Sequence, residues 1–211
     1  HIDAVYKDEK SFGFNDNLSG VLGVLLLAQS LINQNFGCNI IVAFYGAEEV
    51  GCKGSQYFIE NLDTKIKNNI LLAVNFDSIG AGENLYYYHS DNSTLYGSVI
   101  DNLFNKYSIS KLGFNQKFST LSNLNINHTS LGFLSDNSSF LKAGVNSLTF
   151  FAGDLEAKNG LGFFEKQGHE KIMHNTDSFE TCYEVFGEKF YENIFNCASY
   201  VYNLLNNEEF N

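Results

Sequence analysis

The sequence predicts an α/β fold with a largely parallel sheet, and three observations carry that prediction. Short, continuous apolar runs at 39–45 and 70–76 are bounded by turn residues, as strands buried on both faces should be, and 147–151 reads as a further strand. Longer stretches with helical patterning alternate with them. Acidic residues stand just after the first two runs, where the chain leaves the sheet. No internal repeat, linker or second domain is visible, so residues 1–211 read as one domain.

In chain order, Asp16-Asn17-Leu18-Ser19-Gly20 supplies polar caps and small residues that open a helix. The helix runs from Val21 to Ile32 and stops near Asn35 and Gly37. It is apolar nearly all round, which predicts burial against a sheet. Asn39–Tyr45 (NIIVAFY) reads as a strand that Gly46-Ala47-Glu48-Glu49 terminates, and a helix follows over about 55–62. Ile70–Phe76 (ILLAVNF) is the next strand, ended by Asp77-Ser78-Ile79-Gly80. Leu85–His89 reads as a third strand and 93–107 as an amphipathic helix. Residues 108–135 are polar and irregular by pattern. A helical turn at 139–142 precedes the strand Ser147–Phe151, a Gly-interrupted segment spans 153–168, and a last helix covers roughly 184–205.

Composition narrows the function. The chain has 211 residues with 44% hydrophobic and 15% aromatic content, which excludes a disordered protein. A net charge of −11, with no basic stripe, argues against nucleic acid and against acidic membrane surfaces. No transmembrane run or signal sequence is visible, so membrane insertion is not expected. All 13 basic residues are Lys, so no Arg can clamp a substrate carboxylate through two parallel hydrogen bonds, which disfavours a carboxypeptidase. Cys38, Cys52, Cys182 and Cys197 lack metal-finger spacing and read as free thiols, with a disulfide in an exported protein as the alternative. The tripeptide Asn92-Ser93-Thr94 matches a glycosylation acceptor, a match that an Asn-rich chain also yields by chance.

His1, Asp16, Glu49, Asp77 and His174 are the potential metal ligands, and Glu48 is a spare carboxylate beside one of them. Two zinc ions that share a bridging carboxylate need about this inventory, together with one uncoordinated acid for proton transfer. Adjacent acids on an irregular turn point in different directions, so one of the Glu48-Glu49 pair can bind metal while the other serves as general base. Any one of these acids alone would read as a solvated loop residue or a helix cap; the set points to a hydrolase. Among the other histidines, His89 follows three tyrosines, while His128 and His169 read as loop residues.

The elements His1-Ile2-Asp3, Asn15-Asp16-Asn17-Leu18-Ser19-Gly20 and Ala47-Glu48-Glu49-Val50-Gly51-Cys52-Lys53-Gly54-Ser55 resemble the M28 family of co-catalytic zinc aminopeptidases. So do Asn75-Phe76-Asp77-Ser78-Ile79-Gly80 and Met173-His174-Asn175-Thr176-Asp177-Ser178, and the likeness covers essentially the whole chain. The resemblance implies a three-layer α/β/α, zinc-peptidase-like domain that lacks its N-terminal strands, because the family normally carries a helix and several strands before the first His.

It further implies that Asp16 bridges two Zn2+ ions, with His1 and Asp77 completing one and Glu49 and His174 the other. Glu48 would accept a proton from the attacking water and pass it to the leaving amine, and Asp3 would orient His1. Asp136, within Ser135-Asp136-Asn137, resembles the Asp of a Ser-Asp-His element near the family's site, with Asn137 in place of the His. Asp177 would orient the loop of His174 or cap the last helix. Peptides are the implied substrates, and a secreted or cell-surface setting is favoured over a cytoplasmic one. Because His1 stands at position 1, a frayed end is expected to leave one ion or none bound to this chain. A glutaminyl-cyclase-like enzyme with a single zinc, a metal-dependent carboxypeptidase or deacylase, and an inactive peptidase-like binding domain are the competing readings.

Overall fold

A computed structural model describes residues 1–7, 9–90, 95–111, 135–153 and 176–210. A small antiparallel hairpin, β1 (Tyr6–Lys7) and β2 (Glu9–Lys10), precedes an irregular turn over Phe14–Ser19. Helix α1 spans Gly20–Leu31, α2 Lys53–Asn61 and α3 Thr64–Lys67. Strand β3 (Ala73–Phe76) is followed by β4 (Asn84–His89), α4 (Leu95–Lys106) and β5 (Ser110–Lys111). Helix α5 (Asn137–Lys142), strand β6 (Ser147–Gly153), and helices α6 (Phe179–Phe186) and α7 (Glu188–Leu205) complete the order.

The sheet runs β3-β6-β4-β5. β3 and β6 are parallel with Ala73 opposite Ser147, and β4 and β5 are parallel with Tyr86 opposite Ser110. The middle pair, β4 and β6, is antiparallel, with Asn84 opposite Gly153. This departs from uniform parallelism for a simple reason. The connector at 77–83 is too short for the crossover of a dozen or more residues that parallel strands require, so β4 returns in the opposite direction.

The two faces of the sheet carry separate cores, which gives the three layers that were expected. Phe76, Tyr87, Phe104, Phe150, Phe190 and Ile194 belong to one cluster, built by the strands with α4, α6 and α7. Ala73, which points to the other face of β3, packs against Ile59, Phe140 and Val145 from α2, α5 and the turn that follows α5. All seven residues of β6 are buried, as expected for a strand with neighbours on both edges.

The strand expected at 39–45 does not form among the described residues. The segment has no ladder partner, and Ile41 is 57% exposed. β3 is also shorter than expected, because its pairing with β6 begins only at Ala73. Helix α1 is less buried than its composition suggests: Leu25 and Leu26 are exposed, and only Gly20 and Gly23 are fully buried. The last helix is two, α6 and α7, broken at Gly187, whose φ of 54° an L-residue rarely adopts. The four cysteines are free thiols. No helix among the described residues is long and apolar enough to cross a membrane. The tripeptide at Asn92 and the loop histidines His128 and His169 lie outside the described residues.

Candidate metal centre

The site is assembled by the turn Phe14–Ser19, which three short side chains lace onto the loop after β3. The Asn17 amide donates to the Phe76 carbonyl (3.0 Å), while its oxygen accepts from the Gly20 and Ser78 N–H groups (3.0 and 3.1 Å). The Asn15 side-chain oxygen accepts from Gly80 and Ala81 N–H (3.2 and 2.7 Å), and Ser19 Oγ accepts from Ile79 N–H (3.0 Å). All three side chains are buried, so each replaces water at backbone groups that a loop would otherwise leave unpaired. Gly20 is required by proximity: a Cβ there would lie 2.3 Å from the Phe76 carbonyl oxygen. Asp16 is held inside this lacing, beside Asp77.

Asp177 closes the turn from the far end of the sequence. Its fully buried carboxylate accepts from Asn15 N–H (2.6 Å) and Asp16 N–H (2.8 Å). The loop of His174, which Asp177 was expected to orient, lies outside the described residues; here the Asp177 carboxylate holds the Asn15-Asp16 turn, a contact the sequence did not suggest. The cap of α6 is Ser178, which accepts from Thr181 N–H.

Glu48 and Glu49 sit on a tight turn before α2. Gly51 and Cys52 N–H both donate to the Glu48 carbonyl (2.8 Å each), and Gly54 packs so closely on Gly46 that a Cβ would lie 2.3 Å from its oxygen. Asp3 fixes the turn from outside, its two carboxylate oxygens accepting from the Glu48 and Glu49 N–H groups at 3.2 Å each. The same residue faces His1: Nδ1 lies 3.1 Å from the Asp3 carbonyl and 3.4 Å from its carboxylate. Asp3 therefore touches both His1 and the acidic pair.

His1 is neither frayed nor exposed. It is 8% accessible, and Ile2 N–H donates to the Tyr45 carbonyl at 2.7 Å. Its Nε2 lies 3.1 Å from Asp16, 3.6 Å from Asp77 and 3.9 Å from Glu48. One ligand atom each from His1, Asp16 and Glu49 falls within 4.8 Å of the others. Asp77 is brought to His1 but stands outside that group of three, and Asp136 lies 3.9 Å from the His1 amino nitrogen. His174 lies outside the described residues.

The electrostatics reflect acids crowded together with little opposing charge. Burial, then the neighbouring Asp77, pushes the Glu48 carboxyl up to about 7. Burial, then Asp16 and Glu48, pushes Glu49 up to about 8. Burial alone would depress the His1 imidazole, but hydrogen bonds to Asp16 and Asp77 outweigh it and raise the group to about 12. Burial would raise Asp77, yet the facing His1 holds it below the ordinary carboxylate range. Burial raises Asp136 and pushes Asp177 up to about 6.

A divalent cation fits this donor set. It would offset the mutual repulsion of the acids, and Glu49 Oε1 is buried with no hydrogen-bond partner among the described residues. Imidazole with carboxylates suits zinc. His89 is placed elsewhere, at the opposite end of the sheet, where it bonds Asp101 at 2.9 Å.

Sequence reasoning singled out the acids but not the lacing by Asn15, Asn17 and Ser19, nor the hold of Asp3 on the Glu48-Glu49 turn. The only available signal was the density of short polar side chains around Asp16.

The profile of Peptidase family M28 matches residues 1–190. Leucine aminopeptidase 2 of Trichophyton equinum is 36% identical over 69 residues, covering 33% of this chain and 14% of its own length. A probable lipoprotein aminopeptidase of Mycobacterium tuberculosis is 36% identical over 96 residues, 45% of this chain and 19% of its own. Among solved structures, a zinc aminopeptidase from Bacillus subtilis superposes with a TM-score of 0.71 at 23% identity, over 98% of this chain and 45% of that one. An aminopeptidase from Aneurinibacillus sp. strain AM-1 gives 0.64 at 21%, over 96% and 42%. This chain therefore spans less than a fifth of these curated relatives and less than half of these solved ones.

Proposed function

The chain belongs to peptidase family M28, and on that premise we propose that it carries the hydrolytic centre of a zinc-dependent aminopeptidase. The observation that carries this reading is the convergence of His1, Asp16 and Glu49 within 4.8 Å, with Glu48 next to the group and not part of it. In this reading His1, Asp16, Asp77, Glu49 and His174 would hold two zinc ions, with Asp16 shared between them. When bound, zinc acidifies water and polarises a carbonyl.

The remaining work falls to the protein. Glu48, beside the group of three ligands and outside it, can take a proton from the attacking water and return it to the leaving amine. Asp3 keeps the His1 ring in one orientation and holds Glu48 and Glu49 apart on their turn. Asp177 and Asn17 keep Asp16 beside Asp77. The chain has no Arg to clamp a substrate's terminal carboxylate through two parallel hydrogen bonds. This favours cutting from the amino end.

Paired peptides that differ only in a free or acetylated amino terminus test the reading. With zinc present, the free peptide should be hydrolysed and the blocked one spared, and a chelator should abolish the activity. Equal cleavage of both would exclude an aminopeptidase, and cyclisation of N-terminal Gln in place of hydrolysis would favour the cyclase alternative.

A further inference from the structure

Glu48 and Cys52 meet across the turn that leads into α2. The Cys52 thiol donates to Glu48 Oε1 at 3.5 Å. The other oxygen, Oε2, faces the candidate ligands and lies 3.9 Å from His1 Nε2. The two oxygens of one carboxylate thus have separate surroundings. Sulfur holds the first, and the second is turned towards the metal centre.

The backbone sets the direction of the thiol. Cys52 N–H donates to the Glu48 carbonyl at 2.8 Å, and the Cys52 carbonyl accepts from Gln56 N–H (3.0 Å) and the Ser55 hydroxyl (3.1 Å). Ser55 is joined in turn to Ser139 of α5 at 2.9 Å. The buried hydroxyl of Ser138, also on α5, hydrogen-bonds the sulfur. Cys52 has a φ of 56° and stands just before α2, where a side chain commonly caps the helix, yet it makes no cap bond. Its side chain is committed to Glu48 instead.

A carboxylate that works as a base must be held in place and still accept a proton. A glutamate left free samples several rotamers, few of which aim an oxygen at a reacting water. A charged donor would fix the side chain but favour its ionised form and weaken it as a base. A thiol is a weak, neutral donor. It keeps its proton at neutral pH, and burial of Cys52 favours the same form.

We propose that Cys52 is a positioning residue for the general base: its thiol holds Glu48 Oε1 and so presents Oε2 to the reacting water. This inference rests on the hydrolytic reading above and deepens it.

Infrared spectra and kinetics test it together. The S–H stretching band of Cys52, taken as the difference between the unchanged chain and C52S, should lie below that of a free thiol and move up in E48A. A band at the free-thiol position, or one indifferent to E48A, would overturn the proposal. With zinc present, C52A should lower kcat by about tenfold, the worth of about one hydrogen bond, with KM and zinc content unchanged. C52S, which keeps a donor, should restore most of the loss. In the E48Q background C52A should cost nothing further, because the carboxylate that Cys52 orients is gone. An equal loss of kcat in both backgrounds, a loss confined to KM, or a C52S protein as slow as C52A would each overturn the positioning role. If C52A does not fold, C52G removes the thiol with less strain at a positive φ and carries the same expectation. A chain with the shifted band that hydrolyses no peptide would sink the proposed function, whereas an active chain with a free-thiol band would sink this inference alone.

Discussion

Asp177 holds Asp16 by its backbone: the Asp16 N–H donates to the Asp177 carboxylate at 2.8 Å across 161 positions of sequence, beside a second bond from Asn15 at 2.6 Å. A buried acid that accepts two amide hydrogens fixes where the Asp16 side chain starts. Replacing Asp177 with Ala leaves both donors buried without an acceptor and should cost about 3 kcal/mol of stability, since bonds to charged groups are worth about 1.5–3 kcal/mol each. Urea titration measures the loss. D177N, which keeps one acceptor oxygen, should recover part of it, and a D177A protein of unchanged midpoint would contradict the assigned contact.

Glu48 and Glu49 are neighbours in sequence with separate roles, so their variants should separate too. E48Q should lower turnover by about 10²–10⁴-fold, the usual cost of losing a general acid or base, with zinc content nearly unchanged. E49Q should release metal. Atomic absorption on the dialysed variants, measured beside kcat, distinguishes the two outcomes. Equal loss of metal from both would mean that Glu48 is a ligand.

The acids also set a pH dependence for the metal-free protein. Glu48 and Glu49 are raised from 4.5 to about 7 and about 8, and His1 from 6.5 to about 12. A group whose folded pKa is raised stabilises the fold fully below its unfolded pKa and loses that contribution as pH rises through the folded value. For the two glutamates the window is pH 4.5 to about 8, so the Tm of the metal-free protein should fall across it. Asp77, whose carboxyl is lowered, acts in the opposite sense, but only below its ordinary range. Zinc competes with protons for the same oxygens, so its stabilising effect should grow over the same interval. Thermal scans with zinc and with chelator at several pH values provide the measurement. A chelated protein whose Tm rises from pH 5 to pH 8 would show that these carboxyls are not buried together.

The acids were legible in the sequence because each stands beside a turn and because an isolated buried carboxylate is costly. β6 was legible from Leu148, Phe150 and Phe151, and it has a partner on each edge. NIIVAFY was equally apolar, yet no ladder forms there, because a strand depends on a neighbour that periodicity cannot supply. The antiparallel β4 was hidden similarly, since its direction is set by the short 77–83 connector. Asn15, Asn17 and Ser19 looked like loop polarity and capping, but their partners at Phe76–Ala81 are about sixty residues away. Position 1 suggested a loose end, whereas His1 is buried against Asp16 and Asp77 and the next residue, Ile2, is bonded to the Tyr45 carbonyl.

The central claim is that His1, Asp16 and Glu49 surround a metal ion, and anomalous diffraction at the zinc edge tests it most directly. Crystals of the chain equilibrated with zinc should show a peak about 2.0–2.2 Å from both His1 Nε2 and an Asp16 carboxylate oxygen, with Glu49 in the same coordination shell or bound to a second ion that Asp16 shares. A peak that touches none of these residues, or no peak at saturating zinc, would contradict the account.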